Sequence, residues 1–314
     1  MTLSVFIDGA VGTTGLDIRD RLATRTDLAV VALDDAQRKD PHARREALND
    51  CDIAILCLPD DAAREAVAMI AGGTTRVIDA STAHRVAPGW TYGFAELDRA
   101  QPGRIAAARL VSNPGCYPTA FLALVRPLVA AGLVPADWPL SYNAVSGYSG
   151  GGNAMIAEFE SGDADTAFRV YALTLAHKHL PEMRDHGGLA HAPIFMPSVA
   201  RTYRGMLGEV PLALALLPGR PSAASIEDTL RAAYDGCALV SVASDAAGVV
   251  RIEENAGTDR MTLRVCANDA TGHARLIATL DNLGKGAGGA AVQNLNIMAG
   301  LDPLAGLVLH APRL

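Results

Sequence analysis

Four short apolar runs, spaced along the first 81 residues and separated by helical patterns, limit what this chain can fold into more than any other feature. The first, LSVFID (3–8), leads into a glycine loop, GAVGTTG, and then a helical pattern, LDIRDRLATR. LAVVALDD (28–35), CDIAILCLP (51–59) and TRVIDAS (75–81) repeat the apolar run. The third run is nearly continuous in apolar character, as a parallel strand covered on both faces requires. Asp60 or Asp61 is placed to cap the helical pattern DDAAREAVAMIAG. This strand–helix alternation, with its right-handed crossovers, predicts a doubly wound α/β domain with a parallel sheet.

After residue 116 the rhythm changes. A helical pattern, TAFLALVRPLVAAGLV, comes first. Segments 139–154, 169–175, 207–218, 238–243 and 259–269 then read as strands of a more antiparallel sheet, with helices expected near 224–235 and 273–280. A glycine loop feeding a helix closes the pattern at 281–302. The 314 residues, half of them hydrophobic and 19% charged, suit one or two globular domains with a sizeable core. No run reaches the ~18 apolar residues of a membrane span, because LALALL (212–217) is fenced by Pro211 and Pro218. The N-terminus has no basic leader region, which makes the cytoplasm the default expectation. A net charge of −7 argues against an extended basic face for nucleic acid but leaves room for local arginines that hold a small anion. The five cysteines are odd in number and form no C-x-x-C pair, so neither a disulfide framework nor a Cys-rich zinc site fits.

Two places carry candidate chemistry. Gly9, Gly12 and Gly15, with Thr13 and Thr14 between them, stand where helix amides can hold a pyrophosphate. A plain tight turn accounts for the same spacing. After the second strand run, Asp34 and Asp35 would favour a ribose hydroxyl, whereas Arg38 and Lys39 would favour the 2′-phosphate of NADP, the cofactor expected here. The second place is VSNPGCYPTA (111–120). Pro114-Gly115 marks a turn and the helical pattern begins near Tyr117 or Pro118, so Cys116 falls at a helix start, where amide dipoles stabilise a thiolate. Such a nucleophile needs a proton acceptor, and LTLAHKHLPEMRDHGG supplies His177, His179, Glu182 and His186. His179 and Glu182, three apart, share one face of a helix. The same His and Glu composition could bind a metal, although no further ligand cluster lies nearby in sequence; no metal is expected.

SNPGCYPT, HKHLPEM, FIDGAVGTTG, RVIDASTAHR and DNLGKGAGGAAVQNLN together resemble the N-acetyl-gamma-glutamyl-phosphate reductase family, in the shorter of its two forms. The resemblance runs from residue 5 to residue 297. It implies a Rossmann-like NADP-binding domain over 1–116, completed by 283–314, and an α+β catalytic and oligomerisation domain with a mixed sheet over 117–282. It also implies a homodimer or homotetramer with no nucleic-acid or membrane partner. The activity implied is NADPH-dependent reduction of an acyl phosphate through a thioester on Cys116, with His179 as acid or base, or less favourably His177, and with Glu182 beside it. Cofactor contacts are expected from Ser81, Asn282, Lys285 and Gly286, and substrate contacts from Asn113, Ser146, Ser149, Gly150 and His177. Arg85, Arg201 and Arg204 are the candidates for holding the phosphate. Ala95 stands where the family pattern Y-G-x-P-E-L has proline. Aspartate-semialdehyde and acyl-aminoadipyl-phosphate reductases would run the same chemistry on another side chain, and a dinucleotide-sensing protein would use the fold without catalysis.

Overall fold

A computed structural model of the chain describes residues 2–162, 164–244 and 248–310. The chain forms two compact units. One comprises residues 2–95, Ala100–Gly115 and Ala287–Leu307; the other comprises Glu96–Arg99, the described residues of Cys116–Gly286 and residues 308–310. Compared with the expected division, Glu96–Arg99, Cys116, residues 283–286 and residues 308–310 fall in the second unit.

The first unit holds six strands: β1 (Leu3–Asp8), β2 (Leu28–Val31), β3 (Ile53–Leu56), β4 (Arg76–Asp79), β5 (Thr91–Tyr92) and β6 (Leu110–Ser112). They form one sheet in the order β2-β1-β3-β4-β6-β5, with every pairing parallel. Its helices are α1 (Thr13–Leu22), α2 (Pro41–Asp50), α3 (Asp60–Met69), α4 (Gln101–Ala107) and the helix Gly289–Ala299. Both faces of the sheet are covered. Val5, Ile7, Ile55 and Ile78 pack with Ile18 and Leu22 of α1 and with Val292 and Leu295 of Gly289–Ala299. Phe6, Ala54, Leu56 and Val77 pack on the other side with Leu48 and Ala66. The one-residue offset between these two sets is the strand period itself, and it explains the continuous apolar runs. The cap expected from Asp60 or Asp61 is not made. Pro59 is the N-cap of α3, and the Asp60 carboxylate instead accepts from the Thr82 amide at 2.9 Å.

The second unit holds β7 (Ser141–Gly147), β8 (Phe168–Val170), β9 (Ile194–Ala200), β10 (Met206–Ala213), β11 (Val240–Val242), β12 (Met261–Asn268) and β13 (His273–Leu280). Their order is β11-β12-β13-β10-β7-β9-β8. Pairs β7–β9 and β11–β12 are parallel and the rest antiparallel, which makes the sheet mixed. The helices are α5 (Cys116–Ala130), α6 (Gly152–Glu160), α7 (Leu180–Gly187) and α8 (Ala223–Ala233). Helix α5 carries an almost wholly buried apolar surface and packs against β10, β13, α7 and α8.

Several expected elements are corrected. Residues 273–280 are strand β13, not a helix, paired antiparallel along their whole length with both β10 and β12. His273 and Arg275 stay exposed while the residues between and after them are buried, so one face of a central strand supplies the apolar run that mimics a helix. Segment 169–175 is strand only as far as Val170, and 139–154 ends in the helix α6 rather than continuing as strand. The strand β9 had no counterpart in the expected pattern.

Candidate active site

In the first unit the glycine loop is shaped by close backbone approach. Gly9 has φ +88°, and a Cβ there would lie 2.3 Å from the Cys57 carbonyl oxygen, so only glycine fits between β1 and β3. Gly12 donates to the Gly9 carbonyl at 3.1 Å and is the N-cap of α1, with no side chain to close off the first-turn amides. Thr13 and Thr14 open the helix and Gly15 follows, buried in the first turn. This end of α1 fits the pyrophosphate of a dinucleotide. Sequence reading missed Arg44, which pairs with the buried Asp8 just before the loop at 2.8 Å.

Asp34 caps the 3₁₀ turn that follows β2, accepting from the amides of Ala36 and Gln37 at 2.9 and 2.8 Å. Arg38 pairs with the exposed Asp35 at 2.8 Å. Ser81 is buried: its hydroxyl donates to Asp79 at 2.7 Å and accepts from the Ala83 amide, so it braces its own loop. Asp79 also meets His84 Nδ1 at 2.6 Å, and His84 stacks on Trp90 with ring centroids 4.1 Å apart. Arg85 is buried too, with its guanidinium on the carbonyls of Asn113 and Ala80 at 3.0 and 3.2 Å. Asn113 in turn donates to the Ala287 carbonyl at 3.0 Å and accepts from Asn294 at 3.0 Å. These residues tie down the loop that precedes Cys116.

Most of the other expected site residues fall in the second unit. Cys116 is the first residue of α5. Burial pushes the Cys51 and Cys57 thiols up to about 11 and about 12 and raises that of Cys237, which makes them poor nucleophiles at neutral pH. A Cβ on Gly286 would lie 2.7 Å from the Cys116 Cβ, so the loop 281–286 rests directly against the cysteine.

Two histidines beside Tyr117 make opposite hydrogen bonds at Nδ1. His179 is the N-cap of α7, and its Nδ1 meets Glu182 Oε1 at 2.6 Å; the carboxylate is fully buried. A carboxylate only accepts, so His179 Nδ1 donates and the neutral ring keeps its lone pair on Nε2. His177 Nδ1 accepts the His179 backbone N–H at 3.1 Å, which leaves the neutral His177 ring a donor at Nε2. Both rings stand against Tyr117, at centroid distances of 6.4 Å for His177 and 6.3 Å for His179. Tyr117 donates to the Ser198 carbonyl on β9 at 2.9 Å, and its own carbonyl accepts from Tyr142 at 3.0 Å. Burial drives the hydroxyls of Tyr117 and Tyr142 well above the usual tyrosine range, so both remain protonated donors. The tyrosine after the cysteine is thus the plate between the α5 start and the histidines.

Asn282 accepts from the Gly205 amide at 3.0 Å and donates to Ser149 Oγ at 2.8 Å. Ser149 donates in turn to the Tyr203 carbonyl, and Ser146 to the Gly147 carbonyl at 3.0 Å. Gly150 lies exposed beside them. Arg204 is half-buried, 3.7 Å from the buried Asp281 carboxylate, whereas Arg201 is exposed with its guanidinium on the Ala164 carbonyl. Lys285 is 1% exposed and its ammonium meets Glu96 at 2.6 Å. Among the described residues no three His, Cys, Asp or Glu side chains gather as metal ligands, and no helix is long and apolar enough to cross a membrane.

A chain of two units, one with a parallel sheet and a glycine loop after its first strand and the other with a mixed sheet and a cysteine at a helix start, has the make-up of a semialdehyde dehydrogenase. The model for the semialdehyde dehydrogenase dimerisation domain matches residues 116–282, more than half of the chain, and that for the semialdehyde dehydrogenase NAD binding domain matches residues 34–104. Among solved structures, a probable aspartate-semialdehyde dehydrogenase from Pseudomonas aeruginosa aligns at TM-score 0.73 with 17% identity, over 95% of this chain and 99% of that one. Aspartate semialdehyde dehydrogenase II from Vibrio cholerae aligns at 0.71 with 15% identity, over 96% of this chain and 99% of that one; these likenesses establish the fold. The relatives are nearer in sequence. N-acetyl-gamma-glutamyl-phosphate reductase of Brucella anthropi is 53% identical over 96% of this chain and 99% of its own length, and that of Sinorhizobium medicae is 51% identical over 95% and 99%. The chain belongs to the N-acetyl-gamma-glutamyl-phosphate reductase family.

The buried Lys285–Glu96 pair gives a direct test of how the 281–286 loop is held. Breaking a buried pair by removing one partner costs about 3–5 kcal/mol, so Lys285→Met should lower the urea midpoint accordingly, and adding Glu96→Leu should restore much of the loss. Equal losses for Lys285→Met with and without Glu96 would show that the pairing is not the cause.

Proposed function

We propose that the chain reduces N-acetyl-L-glutamyl 5-phosphate to N-acetyl-L-glutamate 5-semialdehyde and phosphate, with NADPH as reductant, as a step of arginine biosynthesis. The observation that carries the chemistry is the His179–Glu182 dyad set against Tyr117, the neighbour of Cys116; the substrate follows from the relatives. The Cys116 thiolate attacks the acyl carbonyl, the bond to the phosphate oxygen breaks, and phosphate leaves behind a thioester. The dinucleotide, when bound, supplies a hydride to that carbonyl carbon. The resulting thiohemiacetal collapses, its C–S bond breaking to return the thiolate and release the aldehyde. Backbone amides at the α5 start suit the oxyanion of each tetrahedral state.

His179 suits the role of acid and base because Glu182 fixes its tautomer and leaves Nε2 to exchange the proton. His177, a donor at Nε2, suits a contact to a substrate oxygen. Of the three arginines, Arg204 is favoured for the phosphate. It flanks Gly205, which Asn282 holds, and it is half-buried, while Arg85 is committed to backbone carbonyls and Arg201 is exposed. Arg38, held only by an exposed aspartate, suits the 2′-phosphate of NADP. A cytoplasmic homo-oligomer, with the dimer as its unit, fits the free cysteines and the dimerisation-domain match.

Phosphate-dependent reduction of NADP with N-acetyl-glutamate semialdehyde, compared with aspartate semialdehyde, tests the substrate; preference for the latter would overturn the reading. Cys116→Ser should abolish turnover while fluorescence titration shows unchanged NADPH binding, and retained turnover would remove the nucleophile. His179→Asn should slow kcat by about 10²–10⁴-fold, the usual size of general acid–base effects; a loss below about threefold would move the role to His177 or water. Arg38→Ser should raise KM for NADPH by roughly 10–100-fold, the worth of a charged hydrogen bond, and leave KM for NADH alone. Equal changes for both cofactors would discard this assignment.

A further inference from the structure

Asn113 is 1% exposed, and each of its four polar atoms is held by a different residue of the first unit. Its backbone N–H donates to the Asp79 carbonyl at the end of β4 at 2.7 Å, and its carbonyl accepts from Arg85 Nε at 3.0 Å. Its side chain donates through Nδ2 to the Ala287 carbonyl and accepts at Oδ1 from Asn294 Nδ2, both at 3.0 Å. Buried polar groups satisfied this completely select one path for the backbone that carries them.

Asn294, fully buried on the helix Gly289–Ala299, holds the side chain of Asn113 in that state. Its Nδ2 donates to the Gly93 carbonyl at 2.9 Å as well as to Asn113 Oδ1. Turning the amide over would set its oxygen against two acceptors, so only one orientation fits. Gly93 is part of the same fit. A Cβ there would lie 2.4 Å from Asn294 Nδ2 and 3.0 Å from the Ser112 carbonyl oxygen.

The chain on either side carries these restraints to the thiol. Only Pro114 and Gly115 separate Asn113 from Cys116, and the proline fixes its own φ. Ala287, which accepts from the Asn113 amide, directly follows Gly286, whose backbone rests against the Cys116 Cβ. We propose that Asn113 and Asn294 are positioning residues for the nucleophile: Asn294 fixes the Asn113 side chain, and Asn113 fixes the point at which α5 begins. Asn113 then acts on the chain around it and not on a substrate. The thiolate draws on the amide dipoles of the first turn of α5, an influence that fades within a turn, so a displaced helix start weakens it. The inference rests on the reading of Cys116 as the nucleophile.

The test uses Asn294→Ala, with Arg76→Met as a control for stability. Arg76 donates to the carbonyls of Ala106 and Ala108 at 2.7 and 2.6 Å and to that of Met298 on the helix of Asn294, but makes no hydrogen bond to either asparagine. For each variant the urea midpoint, NADPH affinity, kcat, KM for N-acetyl-glutamate semialdehyde and the pH profile of Cys116 alkylation by iodoacetamide are measured. Asn294→Ala is expected to keep its NADPH affinity and KM, lose kcat by about 10–100-fold, as small misplacements of reacting groups do, and shift alkylation to higher pH. Arg76→Met is expected to lower the urea midpoint and leave the alkylation profile in place. Asn294→Ser keeps a donor too short to serve both acceptors; it is expected between Asn294→Ala and wild type, and it decides alone if Asn294→Ala does not fold. A folded Asn294 variant with wild-type kcat and alkylation profile overturns the proposal, as does a loss traced to NADPH affinity alone. The same displaced profile in Arg76→Met also overturns it, because lost stability would then be the cause. Undiminished turnover of the wild-type protein after complete alkylation of Cys116 would sink the reading of the nucleophile instead.

Discussion

The first turn of α5 is clamped from three directions, and the rest of the second unit is arranged around that clamp. The Gly286 backbone lies so close to the Cys116 Cβ that no side chain fits between them. Tyr117 is fastened at both ends, its hydroxyl to the Ser198 carbonyl and its carbonyl to the Tyr142 hydroxyl. Phe195 stacks with Tyr142 at 5.3 Å and meets Tyr117 edge-on at 5.2 Å, so the clamp is continuous with the sheet behind it. A thiol needed at one point in space is best held by a rigid element rather than by a loop, because small displacements of reacting groups cost large factors in rate. The N-terminus of a long buried helix, pinned to a central strand, meets that need.

The loop that closes over Cys116 is held by buried polar groups, each given its partners. The Asp281 carboxylate accepts the amides of Leu283 and Gly284 at 2.7 and 3.0 Å on one oxygen and that of Gly257 at 2.5 Å on the other. Asn282 bridges Gly205 and Ser149, and Lys285 reaches Glu96. Burying such groups is costly, and an apolar core of the same volume would be at least as stable. What the polar groups add is geometry: the backbone of 281–286 is fixed by directional bonds at the place where a side-chain-free surface faces the cysteine. Gly286 can lie against Cys116 because Asp281, Asn282 and Lys285 have already determined the path of the chain.

Much of this could be read from the amino acids, and the misses have physical causes. The parallel sheet was legible because both of its faces are buried, so Ile53–Leu56 and its neighbours read as unbroken apolar runs bounded by turn residues. Cys116 at a helix start was legible from Pro114-Gly115, and the facing of His179 and Glu182 from their spacing of three. Strand β13 was misread because ARLIATL satisfies a helical count as well as a strand count, and only pairing with two neighbours decides between them. The partner of Lys285 lies 189 residues away, and no local pattern connects them. Ser81, Ser149 and Arg85 are polar residues near glycine and proline turns, a composition shared by ligand contacts and loop braces alike; their hydrogen bonds show bracing. Tyr117 could not be interpreted at all from sequence, because everything it touches comes from other strands and loops.

The two histidines illustrate how little separates one imidazole tautomer from the other. They are two residues apart, their ring centroids are 4.7 Å apart, and both have Nδ1 in a hydrogen bond. The difference lies only in the partner. Glu182, buried and able only to accept, draws the proton of His179 to Nδ1, whereas the His179 backbone amide, able only to donate, drives the proton of His177 to Nε2. The N–H that His177 accepts belongs to the N-cap residue of α7, and α7 carries Glu182 in its first turn. Formation of that first helical turn therefore fixes both tautomers at once. Neither ring could adopt the other's role without unwinding the start of α7, so the proposed division between proton acceptor and substrate donor is a property of the backbone as much as of the side chains.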